Sequence, residues 1–178
     1  MTWSGVIRET AETILVALVL ALLLRGFVVD SIVVQGYSME PGLRHGERIL
    51  VNKLVYRFRP PERGDIVVFR YPLDPSRDFI KRVVGQPGDV IEVRQGEVFV
   101  NNQSFEEPYV RSPGTSNLGP QTVPEGSLFV LGDNRTNSED SRYFGPIPKN
   151  SLKGKAFLIF WPLSGVRILN PTMALPEP

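Results

Sequence analysis

The sequence predicts a mainly β domain of antiparallel sheets behind one long apolar helix. Three observations lead there. Residues 14–24 carry no polar side chain, whereas beyond Asp30 the apolar residues come in short β-branched runs. Gly, Pro, Asn and Asp break those runs at close intervals, as they do between strands. No segment between them has the length and pattern of a crossover helix, so successive strands must turn back on one another.

Composition narrows the function classes. A chain of 178 residues with 42% hydrophobic content suits one domain with a real core plus an appendage. Twenty Lys and Arg against 19 Asp and Glu leave a formal charge of +1, too little to make nucleic acid the main partner. The absence of cysteine removes a thiol nucleophile, a disulfide framework and a cysteine zinc site together. The single histidine, His45, lies in Leu43-Arg44-His45-Gly46-Glu47, which reads as a solvated structural turn and leaves a histidine metal cluster no ligands to spare. No metal or organic cofactor is expected, and there is no internal repeat.

Residues 1–30 read as an N-terminal segment with a single transmembrane helix. Counted from Thr13 to Val29, a helix rising ~1.5 Å per residue covers about 25 Å, close to a bilayer core if Arg25 snorkels to the far interface. A cleaved secretory signal would need small residues after the apolar run, and Leu24-Arg25-Gly26-Phe27-Val28-Val29 supplies none. A buried soluble helix this apolar would need protein on every side. Arg8 stands with Glu9 and Glu12 before the run and Arg25 at its end, so charge does not set the sidedness.

Residues 31–170 hold the β domain, with strands expected at 32–35, 48–53, 65–71, 79–84, 90–94, 97–100, 127–131 and 155–161. Bends are expected at Pro60-Pro61-Glu62-Arg63-Gly64-Asp65, Gln86-Pro87-Gly88-Asp89 and Gln95-Gly96-Glu97. Residues 112–124 are poor in apolar side chains and read as a mobile surface loop, and 171–178 as a loose tail.

Chemistry concentrates at Gln35-Gly36-Tyr37-Ser38-Met39-Glu40-Pro41. Period-two alternation puts Ile32, Val34, Gly36 and Ser38 on one face of an extended segment, which sets a hydroxyl at the end of an apolar groove wall. Gly36 leaves the backbone open to another chain, and Pro41 stops ladder pairing. A polar turn closing an ordinary strand fits the same residues. A serine nucleophile needs a base, and without a convincing histidine that base is a lysine kept neutral by burial. Lys81 qualifies, in Phe79-Ile80-Lys81-Arg82-Val83-Val84-Gly85. Alternation separates Lys81 from Arg82, so one of the two cations turns toward the sheet interior or a groove unless both lie on a solvent-facing edge. Lowering a lysine from ~10.4 to about 7 or 8 costs of order 4 kcal/mol, which a functional site can bear and a surface has no reason to. The polar run Gly132 to Arg142 holds more donors and acceptors than a connector needs; Ser138 can hold a neutral lysine, and Asp140 can pair with Arg142. Its spacing lacks the closing glutamate of a calcium loop.

Taken together, the apolar segment leading into Gly36-Tyr37-Ser38-Met39-Glu40-Pro41, then Arg63-Gly64-Asp65-Ile66-Val67-Val68-Phe69, then Lys81-Arg82-Val83-Val84-Gly85-Gln86-Pro87-Gly88-Asp89, then the run Gly132 to Arg142, resemble the type I signal peptidases over most of the chain. These are membrane-bound serine proteases that remove signal peptides from exported pre-proteins. The resemblance implies an antiparallel β catalytic domain of the signal peptidase type on the outer (trans) face of a bilayer, with Ser38 as nucleophile, Lys81 as general base, Ser138 orienting the lysine, and Asp140 and Arg142 supporting the site. Ile32, Val34, Met39, Leu43, Phe79 and Ile80 are expected to form shallow apolar pockets beside Gly36, accepting alanine-sized residues before the cut. Two positions depart from the family: Gly36 stands where some members carry a serine hydroxyl that helps bind the oxyanion, and Gly42 where a threonine is common. The other readings are a self-cleaving repressor-type Ser-Lys protease, disfavoured by the apolar segment, and a membrane-tethered β domain that binds extended peptides without cutting them.

Overall fold

The computed structural model describes residues 3–169. In chain order its elements begin with α1 (Trp3–Phe27), β1 (Val29–Val33), β2 (Arg48–Asn52), α2 (Val55–Phe58), β3 (Ile66–Tyr71), β4 (Asp74–Gly85), β5 (Val90–Arg94) and β6 (Glu97–Val100). They continue with β7 (Gln103–Ser104), β8 (Leu118–Thr122), β9 (Ser127–Leu131), α3 (Ser141–Phe144), β10 (Ile147–Pro148), β11 (Leu152–Trp161) and β12 (Arg167–Ile168). The larger sheet runs β1-β2-β11-β3-β4-β9-β10 with β12 beside β11, and the smaller runs β7-β6-β5-β8. Every pairing among these strands is antiparallel, as expected.

Strand β3 shows why the larger sheet is covered on both faces. Its run Ile66-Val67-Val68-Phe69 is buried throughout. Ile66 and Val68 enter one core with Met39, Leu43 and Ile49, while Val67 and Phe69 enter another with Val83, Leu128 and Val130. Alternate side chains thus serve opposite faces, and an uninterrupted apolar run is what such a strand requires. A third core joins the two sheets through Val84, Ile91, Val98 and Phe129.

One irregularity in this arrangement positions the site. Strand β4 pairs with β3 from Asp78 to Arg82, but β9 covers its other edge only from Arg82 to Gly85. From Asp78 to Lys81 that second edge faces a groove of about 720 Å³ whose opposite wall is the segment from Ile32 to Met39. Lys81 therefore lies at the last position before β4 gains its second neighbour.

Several expectations are corrected. The strand leading toward Ser38 ends at Val33, because Gly36 at φ +92° and the turn bonds Glu40 N–H to Tyr37 O (3.1 Å) and Leu43 N–H to Met39 O (2.8 Å) curl the chain away. Residues 112–124 are not merely a loop: β8 pairs with β5, a contact that its Gly119-Pro120-Gln121 composition conceals. Strand β4 begins five residues earlier than the apolar run suggests, since Asp74-Pro75-Ser76 reads as a turn until β3 is seen beside it. Residues 171–178 lie outside the described residues.

Helix α1 occupies the segment expected to cross a bilayer. Its first half carries Arg8, Glu9, Thr10, Glu12 and Thr13, and among the described residues no helix is long and apolar enough to cross a membrane. Ile14, Leu15 and Val16 are nevertheless 62%, 60% and 57% exposed.

Candidate active site

Ser38 is presented by a turn that is pegged into the core. Met39 and Leu43 belong to the same buried cluster as Ile49 and Val68. The bond from Leu43 N–H to Met39 O stacks the two side chains one helical turn apart, so both point inward and Ser38 is left facing the groove. Leu43 is consequently a core residue, fully buried and not part of the groove wall, contrary to the expectation that it forms a pocket. Ile32, Val34, Gly36, Met39, Phe79 and Ile80 do line the groove.

Across the groove, Lys81 Nζ lies 2.7 Å from Ser38 Oγ. The lysine is 4% exposed and its ammonium carries no ion pair among the described residues; the Phe79 ring lies 5.1 Å away. Burial lowers its pKa from 10.5 to about 8, against the pull of Asp140, Glu139 and Asp133 at longer range. At pH 7 about a tenth of the chains then carry a neutral amine, against roughly one in three thousand for a free lysine. A neutral Nζ offers a lone pair at hydrogen-bond distance from the serine proton, the arrangement general-base activation of a hydroxyl requires.

Sequence alternation leaves open which cation is buried, and both are. Arg82 is 2% exposed on the opposite face of β4, donating from Nε and Nη2 to the Asp133 carboxylate at 2.8 and 2.7 Å and from Nη1 to Gly64 O at 3.0 Å. Its guanidinium also stacks 3.9 Å from the centroid of the Tyr109 ring.

The polar run from Gly132 to Arg142 is braced from within. Asp140 receives Arg142 Nε and Nη2 at 2.9 Å each and caps α3, and its Oδ2 accepts the Gly132 N–H at 3.1 Å. The expected Asp140–Arg142 pair is present. Arg135 donates to Gly132 O (2.9 Å) and to Glu107 (2.5 Å), which also accepts from the Tyr109 hydroxyl (2.8 Å). A side chain at Gly132 would collide with both Ser138 and the Ser38 carbonyl, so the run packs directly against the Ser38 turn. Ser138 Oγ is buried there without a hydrogen-bond partner. The bond to Lys81 expected of it is therefore not formed.

Sequence reasoning missed Asn134, which grips the Ser38 turn twice: its N–H donates to Ser38 O at 3.0 Å and its Nδ2 to Tyr37 O at 3.1 Å. Only its membership of the polar run hints at a role. Glu107 and Tyr109 lie in a loop without a motif and carry no local signal at all. Among the described residues no three His, Asp or Glu side chains converge as metal ligands.

Known proteins resemble the chain in sequence. A family model described as signal peptidase, peptidase S26, matches residues 7–161. The chain is 42% identical over 168 residues to the probable signal peptidase I-2 of Synechocystis sp., spanning 91% of this chain and 77% of that protein. It is also 42% identical over 173 residues to the signal peptidase I of Leptolyngbya laminosa, spanning 93% and 85%. Among solved structures, a signal peptidase I from Enterococcus faecalis V583 superposes with a TM-score of 0.50 at 34% identity, covering 55% of this chain and 97% of that one.

Proposed function

The chain belongs to the signal peptidase family S26, and from that premise we propose that it cuts N-terminal signal peptides from exported pre-proteins by acyl transfer. The observation that carries the mechanism is the 2.7 Å approach of Lys81 Nζ to Ser38 Oγ inside a groove open on one side. Neutral Lys81 takes the hydroxyl proton as Ser38 Oγ attacks the scissile carbonyl. The resulting lysinium returns that proton to the leaving amine, and the regained neutral amine then draws a proton from the water that hydrolyses the ester.

The developing oxyanion needs donors, and Gly36 has no hydroxyl to give. The Ser38 main-chain N–H makes no hydrogen bond among the described residues and adjoins the attacking oxygen, which fits it for this task. The substrate is read as an added strand between the uncovered edge of β4 at residues 78–81 and the segment leading to Ser38. Backbone pairing tolerates many sequences, while Ile32, Val34, Phe79 and Ile80 select small apolar side chains next to the cut.

A bilayer accounts for apolar surface that the fold leaves uncovered. Beyond the exposed side chains of α1, Trp161, Leu163, Val166 and Ile168 are 50%, 75%, 52% and 63% exposed on and between β11 and β12. Although no described helix is by itself long and apolar enough to cross a membrane, we place residues 13–29, with Arg25 snorkelling, in the membrane as a single-pass anchor and the β domain against its outer (trans) face. The test is mass spectrometry of fragments from a model pre-protein incubated with the full chain in detergent. One cut after a small residue at the end of the signal sequence is expected from the wild type and none from Ser38→Ala; peptide capture without cutting would instead identify a binding module.

A further inference from the structure

The nucleophile segment is held from a second side by a residue outside the dyad and its polar run. Antiparallel bonds from Val34 N–H to Glu47 O (2.8 Å) and from Gly46 N–H to Val34 O (2.9 Å) tie residue 34 to the loop that follows Leu43. Two residues on, the backbone at Gly36 takes φ +92° and that ladder has no further carbonyl to offer. Its N–H donates instead to the imidazole Nδ1 of His45 at 3.1 Å, and the imidazole packs against the Tyr37 ring with centroids 5.5 Å apart. Asn134 holds the carbonyls of Tyr37 and Ser38 from the opposite direction. The peptide units immediately before Ser38 are thus fixed between an imidazole acceptor and an amide donor.

We propose that His45 is a positioning residue for the reaction: its unprotonated Nδ1 holds the Gly36 amide, and through it the Ser38 N–H and Oγ, in the geometry that attack requires. The proposal rests on the protease reading for its kinetic consequences, but not for the imidazole state it demands. Accepting at Nδ1 places the single imidazole proton on Nε2, and an imidazolium would present a donor to a donor. The Tyr37 phenol lies beside the ring, tilted 31° to it; in the imidazole's own loop Glu47 accepts the Arg44 N–H and pairs with Arg167 of β12.

His45→Asn sets an amide oxygen where Nδ1 stood and accepts at every pH, whereas His45→Ala removes the acceptor. For signal-peptide cleavage we expect the Ala variant to lose roughly tenfold in kcat with KM within about twofold, because groove and lysine are untouched, and the Asn variant to recover to within about threefold of wild type. Full activity in the Ala variant or no recovery in the Asn variant would each overturn the proposal. If the Ala variant does not fold, judged by circular dichroism, the Asn variant's kcat and the tautomer of the wild-type imidazole decide. Because His45 is the only histidine, nitrogen-15 spectra of the tag-free chain read its tautomer directly, with or without cleavage activity. The Nε2–H form is expected near neutral pH, and a dominant Nδ1–H form would refute the proposal while leaving the protease reading standing.

Discussion

Lys81 and Arg82 are chain neighbours, both nearly inaccessible to water, on opposite faces of β4. Arg82 meets a carboxylate that takes two of its N–H groups, a carbonyl that takes a third and an aromatic ring across its plane. Lys81 meets a hydroxyl and an apolar wall. Burial raises the energy of either cation by several kcal/mol; on one face a matched anion offsets it, and on the other only the longer-range pull of Asp140, Glu139 and Asp133 opposes it, so the lysine sheds its proton more readily. One strand therefore carries two buried cations, one paired with a carboxylate and one not, and the difference between them is a partner.

The largest expected effect follows from removing the amine. Lys81→Met and Ser38→Ala should each reduce signal-peptide cleavage by roughly a thousandfold or more, as loss of a nucleophile or its base does elsewhere. Lys81→Met should also stabilise the fold, by up to about 3 kcal/mol at pH 7, because the native state no longer has to bury an amine whose pKa falls from 10.5 to about 8. Between pH 8 and 10.5 the unfolded lysine still binds a proton that the native one has released, so wild-type stability rises with pH through that window and the gap to Lys81→Met closes. Chemical denaturation at several pH values checks this.

On the other face the prediction reverses. Arg82→Ala strands the buried Asp133 carboxylate, so it should destabilise by about 3–5 kcal/mol, with activity lost only as far as the fold is lost; thermal melts alongside cleavage assays separate the two. A smaller effect is expected from Asn134→Ala, which removes one side-chain bond to the Tyr37 carbonyl: about 1 kcal/mol of stability and a several-fold fall in kcat, measured on purified protein.

Much of this is legible in the sequence because it depends on local pattern. Val90–Arg94, Glu97–Val100 and Ser127–Leu131 form strands with the expected bounds, and Ser38, Lys81, Asp140 and Arg142 fall around one groove or against its polar wall. What stays hidden depends on neighbours distant in the chain. Gly119 and Pro120 carry no strand signal of their own, and only the edge offered by β5 draws them into β8. Alternation around Lys81 and Arg82 separates their faces but not their surroundings, so the shared burial of both cations emerges only with Asp133 and Tyr109 in place. Leu43 reads as a pocket residue because it follows the Ser38 turn, and only the Met39–Leu43 turn bond shows that it faces the core.

The most direct test is the pH dependence of kcat/KM for signal-peptide cleavage between pH 7 and 10.5. A log rate that climbs with slope one and levels near pH 8 is the result expected of a desolvated lysine at position 81. A rate that keeps climbing through pH 10 would mean that Lys81 titrates like any surface lysine, and the proposed base would be lost.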